Sequence, residues 1–255
     1  MLRPRIIPVL LLKENCLVKS VKFKKHSYIG DPLNAVKLFN DLKVDELVFL
    51  DINASKNATV VSFNLIKEIG EEANMPFSVG GGINSLTQIE NLIKAGAERV
   101  IVGNEAVVNP EFINSASKAF GSSTITVCID VKKNIFGKQL IYSLNGKIAH
   151  KYNLVDFAKL MQQNGVGELI IQSIDKDGMM TGYDKELVKK ISDEVTVPVI
   201  ALGGAGNYNH LKDMYSFCKV RGIGSGSTFI YQSDMKGVLI NYPNAMEKKA
   251  IYEYY

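Results

Sequence analysis

Met75-Pro76-Phe77-Ser78-Val79-Gly80-Gly81-Gly82 is answered later in the chain by Val197-Pro198-Val199-Ile200-Ala201-Leu202-Gly203-Gly204. Each is an apolar run of strand length, led in by proline and closed by paired glycines, and the two are offset by 122 residues (76 to 198). The same offset carries Glu46-Leu47-Val48 onto Glu168-Leu169-Ile170 and Arg99 onto Arg221. Self-similarity at one fixed spacing marks a repeated structural unit. Around these segments, short β-branched runs ending in Gly or Asp alternate with longer amphipathic stretches, the pattern of βα units and a parallel sheet. Eight strands are predicted, at residues 6–12, 46–51, 77–80, 99–102, 124–130, 168–173, 199–202 and 222–224. Eight units in two duplicated halves predict an α/β chain forming a single (βα)8 TIM barrel of the phosphate-binding type over residues 1–255. A doubly wound sheet would have no reason to repeat in this way.

Local signals agree with this reading. A helix is predicted over 32–42, with Asp31 as N-cap and Pro32 in the first turn, and another over 85–95 that stops before Gly96. The pattern breaks after Asp130, where 139–144 and 147–149 flank Asn145-Gly146 and read as a β-hairpin on an Asn-Gly turn.

Composition narrows the classes of function. The chain has 255 residues, 46% of them hydrophobic, enough for a large core. Its net charge of +4 is spread out, with only Lys24-Lys25, Lys132-Lys133 and Lys248-Lys249 adjacent, so no nucleic-acid surface is expected. Cys16, Cys128 and Cys218 are odd in number and far apart, and His26, His150 and His210 are isolated in sequence. That spacing indicates reduced thiols, no metal site, no cofactor and no Cys/His nucleophile. The apolar run after Met1-Leu2-Arg3-Pro4-Arg5 is too short for a membrane span and lacks a cleavage site, which predicts a cytoplasmic protein.

In such barrels chemistry sits at the C-terminal ends of the strands. Gly81-Gly82 and Gly203-Gly204 follow strands three and seven, and Gly103-Asn104 and Gly226-Ser227 follow strands four and eight. Turns without side chains let backbone N–H groups approach a phosphate, so these read either as two phosphate cups or as plain tight turns. Two cups would take a small substrate with a phosphate at each end. Asp130 ends strand five and shares a face with Thr126 and Cys128, so it serves as a general acid or base, or as a cap that fixes its loop. Its counterpart in the first half is Leu11, at an offset of 119 residues (11 to 130), on one face with Arg5, Ile7 and Val9. A leucine there shapes a pocket but moves no proton. At the opposite mouth Arg5, Glu46, Arg99 and Glu168 begin strands and pair as a charged ring, which is equally a structural plug or a functional feature.

Taken with Arg5-Ile6-Ile7, Gly30-Asp31-Pro32, residues 45–52 and 76–83, Ser173-Ile174-Asp175-Lys176-Asp177-Gly178, Gly182-Tyr183-Asp184 and Gly203-Gly204-Ala205-Gly206, these segments resemble the cyclase subunit (HisF) family of imidazole glycerol phosphate synthase over nearly the whole chain. The resemblance implies a HisH-like glutaminase docked on the barrel floor as a heterodimer, with ammonia passing through the barrel to a two-phosphate aminoimidazole precursor. It implies phosphate contacts at Gly82, Gly103 and Asn104 on one side and at Asp177, Gly178, Gly204, Gly226 and Ser227 on the other. Lys19 matches a family lysine leading into the loop after strand one, whose moving part is expected at 23–29. Arg5, Glu46, Arg99 and Glu168 match the family's ammonia gate, with arginine in place of lysine at 99, which keeps charge and changes shape.

The departure is at Leu11, which stands where the family has the first of two catalytic aspartates, while Asp130 keeps the second. Gln172 and Leu202 also stand where small polar residues are usual. Three readings follow: the histidine-pathway lyase and cyclase reaction, a paralogue delivering ammonia for amidination of surface-polysaccharide sugars beside a sugar amidotransferase, or a conduit that activates a glutaminase and does no chemistry itself.

Overall fold

The computed structural model describes residues 3–232 and 237–253; Met1 and Leu2, which open the segment read for a targeting signal, lie outside them. Its centre is eight parallel strands: β1 (Arg5–Lys13), β2 (Leu47–Asp51), β3 (Phe77–Gly80), β4 (Arg99–Val102), β5 (Ile125–Lys133), β6 (Glu168–Ser173), β7 (Val199–Leu202) and β8 (Gly222–Ser225). Each pairs with its neighbours in chain order, and β8 returns to β1 in register Arg5↔Gly222, so the sheet closes on itself. The four predicted strands at 77–80, 99–102, 168–173 and 199–202 match to the residue.

Inward residues alternate with outward ones, as a pleated strand requires. Ile7, Val9, Val48, Ile101, Ile170, Ile200 and Leu202 fill the barrel axis. Outward residues such as Ile6, Leu47, Phe49, Val79 and Ile129 pack under the surrounding helices. Those helices are α1 (Pro32–Asp41), α2 (Phe63–Glu72), α3 (Leu86–Lys94), α4 (Glu111–Phe120), α5 (Leu154–Gln163), α6 (Lys185–Ser192), α7 (Tyr208–Phe217) and α8 (Ala245–Tyr252). Asp31 caps α1 by accepting from Asn34 N, and Ser85 caps α3 in a reciprocal box with Gln88. Asp31 is the cap that the sequence predicts, whereas Ser85, read as the first helical residue, is the N-cap of a helix that starts at Leu86. Among the described residues no helix is long and apolar enough to cross a membrane.

Three features differ from the sequence reading. Residues 23–29 are not a free loop: Lys24–Gly30 forms a strand on Cys16–Val21, which itself pairs with β1 in register Leu11↔Val18. The turn of the second hairpin is four residues long, not two. Its strands are Gln139–Ser143 and Ile148–His150, and Lys147 N closes on Ser143 O at 3.1 Å. Leu144, Asn145 and Gly146 all take left-handed φ (47°, 57° and 73°), and the Asn145 amide donates to Ile52 O on the loop after β2, a tertiary anchor that overrides the local turn preference. Finally, β5 extends to Lys133 because it pairs with this hairpin, in register Asp130↔Tyr142, while Ser122–Thr124 forms a 3-10 turn ahead of it.

The C-terminal segment straps the N-terminal end of the barrel. Tyr242 Oη donates to Ile6 O at 2.8 Å and accepts from Asp45 N, Lys248 pairs with Asp45 at 2.8 Å, and Tyr252 Oη donates to Pro4 O at 2.7 Å.

Candidate functional site

At the C-terminal mouth the strand ends surround a cavity of about 270 Å³. Every mouth residue singled out from the sequence lines it: Leu11, Lys19, Gly82, Gly103, Asn104, Asp130, Asp177, Gly178, Gly204, Gly226 and Ser227. Arg5, Arg99 and Glu168 open β1, β4 and β6 at the other end of the barrel, and Glu46, read as the first residue of its strand, directly precedes β2.

The two glycine turns are built alike. A Cβ on Gly82 would collide with the Thr59 carbonyl in the loop after β2, and one on Gly204 with the Gly182 carbonyl in the loop after β6. Both have left-handed φ, 69° and 113°, where a side chain is strained as well as crowded. After β4 and β8 come one-turn helices, Asn104–Val108 and Ser227–Ile230, whose leading residues Gly103 and Gly226 make no side-chain cap. The duplication therefore reaches the loops, and each half ends in a matched pair of bare backbone turns. Asn104 Oδ1 is buried there with no partner among the described residues.

The second turn is closed by the hairpin from Cys16 to Gly30. Asp177 holds it: Ser20 Oγ donates to Asp177 Oδ2 at 2.7 Å, Phe23 N to the same oxygen at 3.2 Å, and Lys22 N to the Asp177 carbonyl at 3.0 Å. Gly178 (φ 66°) lies so close to the Ser20 carbonyl that a Cβ would not fit. Lys19 is buried, its ammonium against Gly226; burial pushes its pKa down and the Asp177 carboxylate opposes that. Lys19, read as leading into the loop after β1, lies on the strand Cys16–Val21 and lines the mouth.

Asp130 sits on the cavity wall with its pKa raised to about 7, chiefly by burial, with the Cys128 thiol's hydrogen bond (3.6 Å) lowering it and Asp177 raising it. Burial and the Asp130 carboxyl hold the Cys128 thiol well above its ordinary value, so it is no nucleophile. A carboxyl that titrates near neutrality suits proton transfer at ordinary pH. Opposite it, Leu11 pairs in register with Leu50, and both line the mouth with Ile101 and Leu202. One wall is polar and the other apolar.

Sequence spacing missed one pair. His150, isolated in the chain, accepts or donates at Nε2 with Ser143 Oγ at 2.7 Å, and Ser143 lines the cavity. Only the hairpin register brings residues seven apart together in this way. His210 is also engaged, its Nδ1 accepting from Gly206 N at 3.1 Å.

At the floor, Arg5 donates to both Glu46 and Glu168, and Arg99 reaches Glu46 at 3.4 Å. Ser78 Oγ donates to Glu46 at 2.8 Å, and Arg99 Nε donates to the Ser123 carbonyl at 3.2 Å. The carboxylates are buried and the arginines half-buried; burial raises the Glu168 pKa and Arg5 counters it. Buried acids paired this fully are stable as a set and costly to break singly.

A closed parallel barrel with matched glycine turns at its C-terminal mouth defines a (βα)8 barrel protein. Within that class the chain belongs to the histidine biosynthesis protein family, whose sequence profile matches residues 5–236. It is 43% identical to a Leptospira borgpetersenii protein provisionally named imidazole glycerol phosphate synthase subunit HisF, over 99% of this chain and all of that one. It is 42% identical to a Vibrio vulnificus protein provisionally named subunit hisF3, over 99% and 98%, and 38% identical to imidazole glycerol phosphate synthase subunit HisF of Flavobacterium psychrophilum, over 94% and 97%. It is a divergent HisF-like cyclase subunit.

Proposed function

We propose that the chain takes ammonia from a HisH-like glutaminase docked at the Arg5, Glu46, Arg99 and Glu168 floor and passes it through the barrel to a phosphorylated acceptor at the mouth. The observation that carries this reading is the asymmetry between the two ends. The floor ring is fully paired and the glycine cups are intact, yet Leu11 stands where a second carboxylate would be needed opposite Asp130. Loss of a general acid or base costs about 100- to 10,000-fold in rate. Gly82, Gly103 and Asn104 would hold one phosphate, and Asp177, Gly178, Gly204, Gly226, Ser227 and Lys19 the other.

The chain therefore serves best as an ammonia-delivering subunit whose own cyclisation is weak. Relatives carrying copy numbers, hisF3 in Vibrio vulnificus and hisF2 in Pseudomonas aeruginosa at 40% identity, fit a paralogue with a separate acceptor. Amidination of a surface-polysaccharide sugar by a partner amidotransferase in the cytoplasm is such a use.

The test supplies the purified chain with the aminoimidazole precursor and saturating ammonium salt, beside an active HisF, and separately with a glutaminase partner. Cyclase turnover at least 100-fold below the active enzyme, together with stimulated glutamine hydrolysis, is expected. Robust formation of imidazole glycerol phosphate would assign the histidine-pathway reaction instead. Glu168→Ala is expected to uncouple glutamine hydrolysis from ammonia delivery; unchanged coupling would remove the gate from the reading.

A further inference from the structure

The mouth contains a hydrogen-bonding group that the phosphate cups and Asp130 leave unused. Gln172, the next-to-last residue of β6, faces the cavity, is 5% exposed, and stands in register between Asp130 on β5 and Leu202 on β7. Its amide nitrogen donates to Asp177 Oδ1 at 3.5 Å. Since Asp177 takes Ser20 and Phe23 on its other oxygen, a carboxylate fixes which way the amide turns: only the NH2 end can face it. The Gln172 Oε1 is consequently turned away from Asp177, buried and without a partner among the described residues. A buried acceptor left open is costly, so a ligand that fills it is favoured.

What fills it must donate a hydrogen bond. Asp130 offers a second acceptor on the neighbouring strand, while Leu11, Leu50 and Leu202 close the rest of the wall with carbon. An ionised phosphate oxygen does not satisfy the Gln172 Oε1, because an acceptor would face an acceptor. Lower in the same barrel Thr126 Oγ1, on the inward face of β5 and opposite Glu168, is also buried without a partner among the described residues. The two open groups lie on adjacent strands at opposite ends of an interior otherwise lined by Ile170, Ile200 and Ile7.

We propose that Gln172 Oε1 and the Asp130 carboxyl form a receiving site for ammonia or ammonium at the mouth, holding the nitrogen between two acceptors until an acceptor molecule takes it. This rests on the reading that ammonia arrives through the barrel, but its test needs neither a glutaminase nor a substrate. Gln172 is here a binding residue.

The experiment titrates the 15N-labelled chain with ammonium chloride, with sodium chloride at equal ionic strength as control, following the Gln172 side-chain amide and the Ser173 and Gly203 backbone amides by NMR. Saturable shifts with ammonium alone are expected, weakened at least tenfold at Ser173 and Gly203 in Gln172→Leu. Phosphate-induced shifts at Gly82 in the same sample report that the variant is folded, and Asp130→Asn provides a second variant, expected to weaken binding as well. Absence of a saturable response in the unaltered chain, or an unchanged response in Gln172→Leu, overturns the site. A response to methylammonium as strong as that to ammonium also overturns it, because the two acceptors would then serve the amino group of a larger molecule. A negative titration leaves the coupling measured with a glutaminase standing, and failed coupling leaves a positive titration standing.

Discussion

Two side chains at the mouth set what the barrel can do. Leu11 faces the cavity from the strand end whose duplicate holds Asp130. Leu11→Asp is expected to raise cyclase turnover, measured with the aminoimidazole precursor and ammonium salt, by 100-fold or more; no gain would mean that Gln172 and Leu202 have reshaped the pocket as well. Asp130 makes a separate prediction in pH. Its folded pKa, about 7, is above that of an unfolded aspartate, so between about pH 4 and 7 the folded chain binds the extra proton and stability falls as pH rises. Asp130→Asn removes this dependence. Compared by urea unfolding, the variant is expected to gain about 1–2 kcal/mol on the unaltered chain between pH 5 and pH 8, less than the full shift because the group borders an open cavity. Equal pH profiles would show that Asp130 is ionised throughout.

The hairpin from Cys16 to Gly30 is the element that makes the second cup, and one carboxylate fastens it. Asp177→Ala removes the acceptor for Ser20 and Phe23 and leaves Lys19 buried without its countercharge. A loss of about 2–4 kcal/mol by chemical unfolding is expected, with faster tryptic cleavage at Lys22, Lys24 and Lys25. Resistance equal to that of the unaltered chain would mean that pairing with β1 suffices to hold the hairpin. This element also marks how far the sequence is legible. The barrel strands could be read because burial on both faces gives short continuous apolar runs, and the duplication confirmed them by offset. Lys24-Lys25-His26-Ser27 has no such pattern, and its strand exists because Cys16–Val21 and Asp177 supply partners from elsewhere. The same holds for the four-residue turn of the second hairpin, which an Asn145 bond ties to the loop after β2, and for the Ser143–His150 contact, which follows from the hairpin register. Asp130 and Leu11 were legible because strand alternation and the repeat offset place them at the mouth, and the paired glycines because they close the repeated apolar runs, whereas Asp177, Gly178 and Lys19 were marked only by the family resemblance. Tertiary anchors follow from no local pattern.

At the scale of the whole molecule the length of the strands separates a paired charge ring at the floor from a cavity at the mouth. If both cups take one molecule with two phosphates, the first phosphate to bind holds the second near its own cup, and a bisphosphate gains affinity through effective concentration. Thermal unfolding can read this directly. At ten times its dissociation constant a ligand adds about 1.4 kcal/mol, which for a chain of this size raises the melting temperature by roughly 3–6 °C. A linear bisphosphate is expected to reach that shift at a concentration at least tenfold below inorganic phosphate, and equal potency would mean that the cups act separately or that only one binds. Among the described residues, groups at the floor and the mouth share no hydrogen-bond partner, so their effects should add. Glu168→Ala lowers the melting temperature by breaking a buried pair with Arg5, yet it should leave the bisphosphate-induced rise unchanged. A diminished rise would show that the floor and the mouth are mechanically linked, and the ring would then be sensing the ligand as well as closing the barrel.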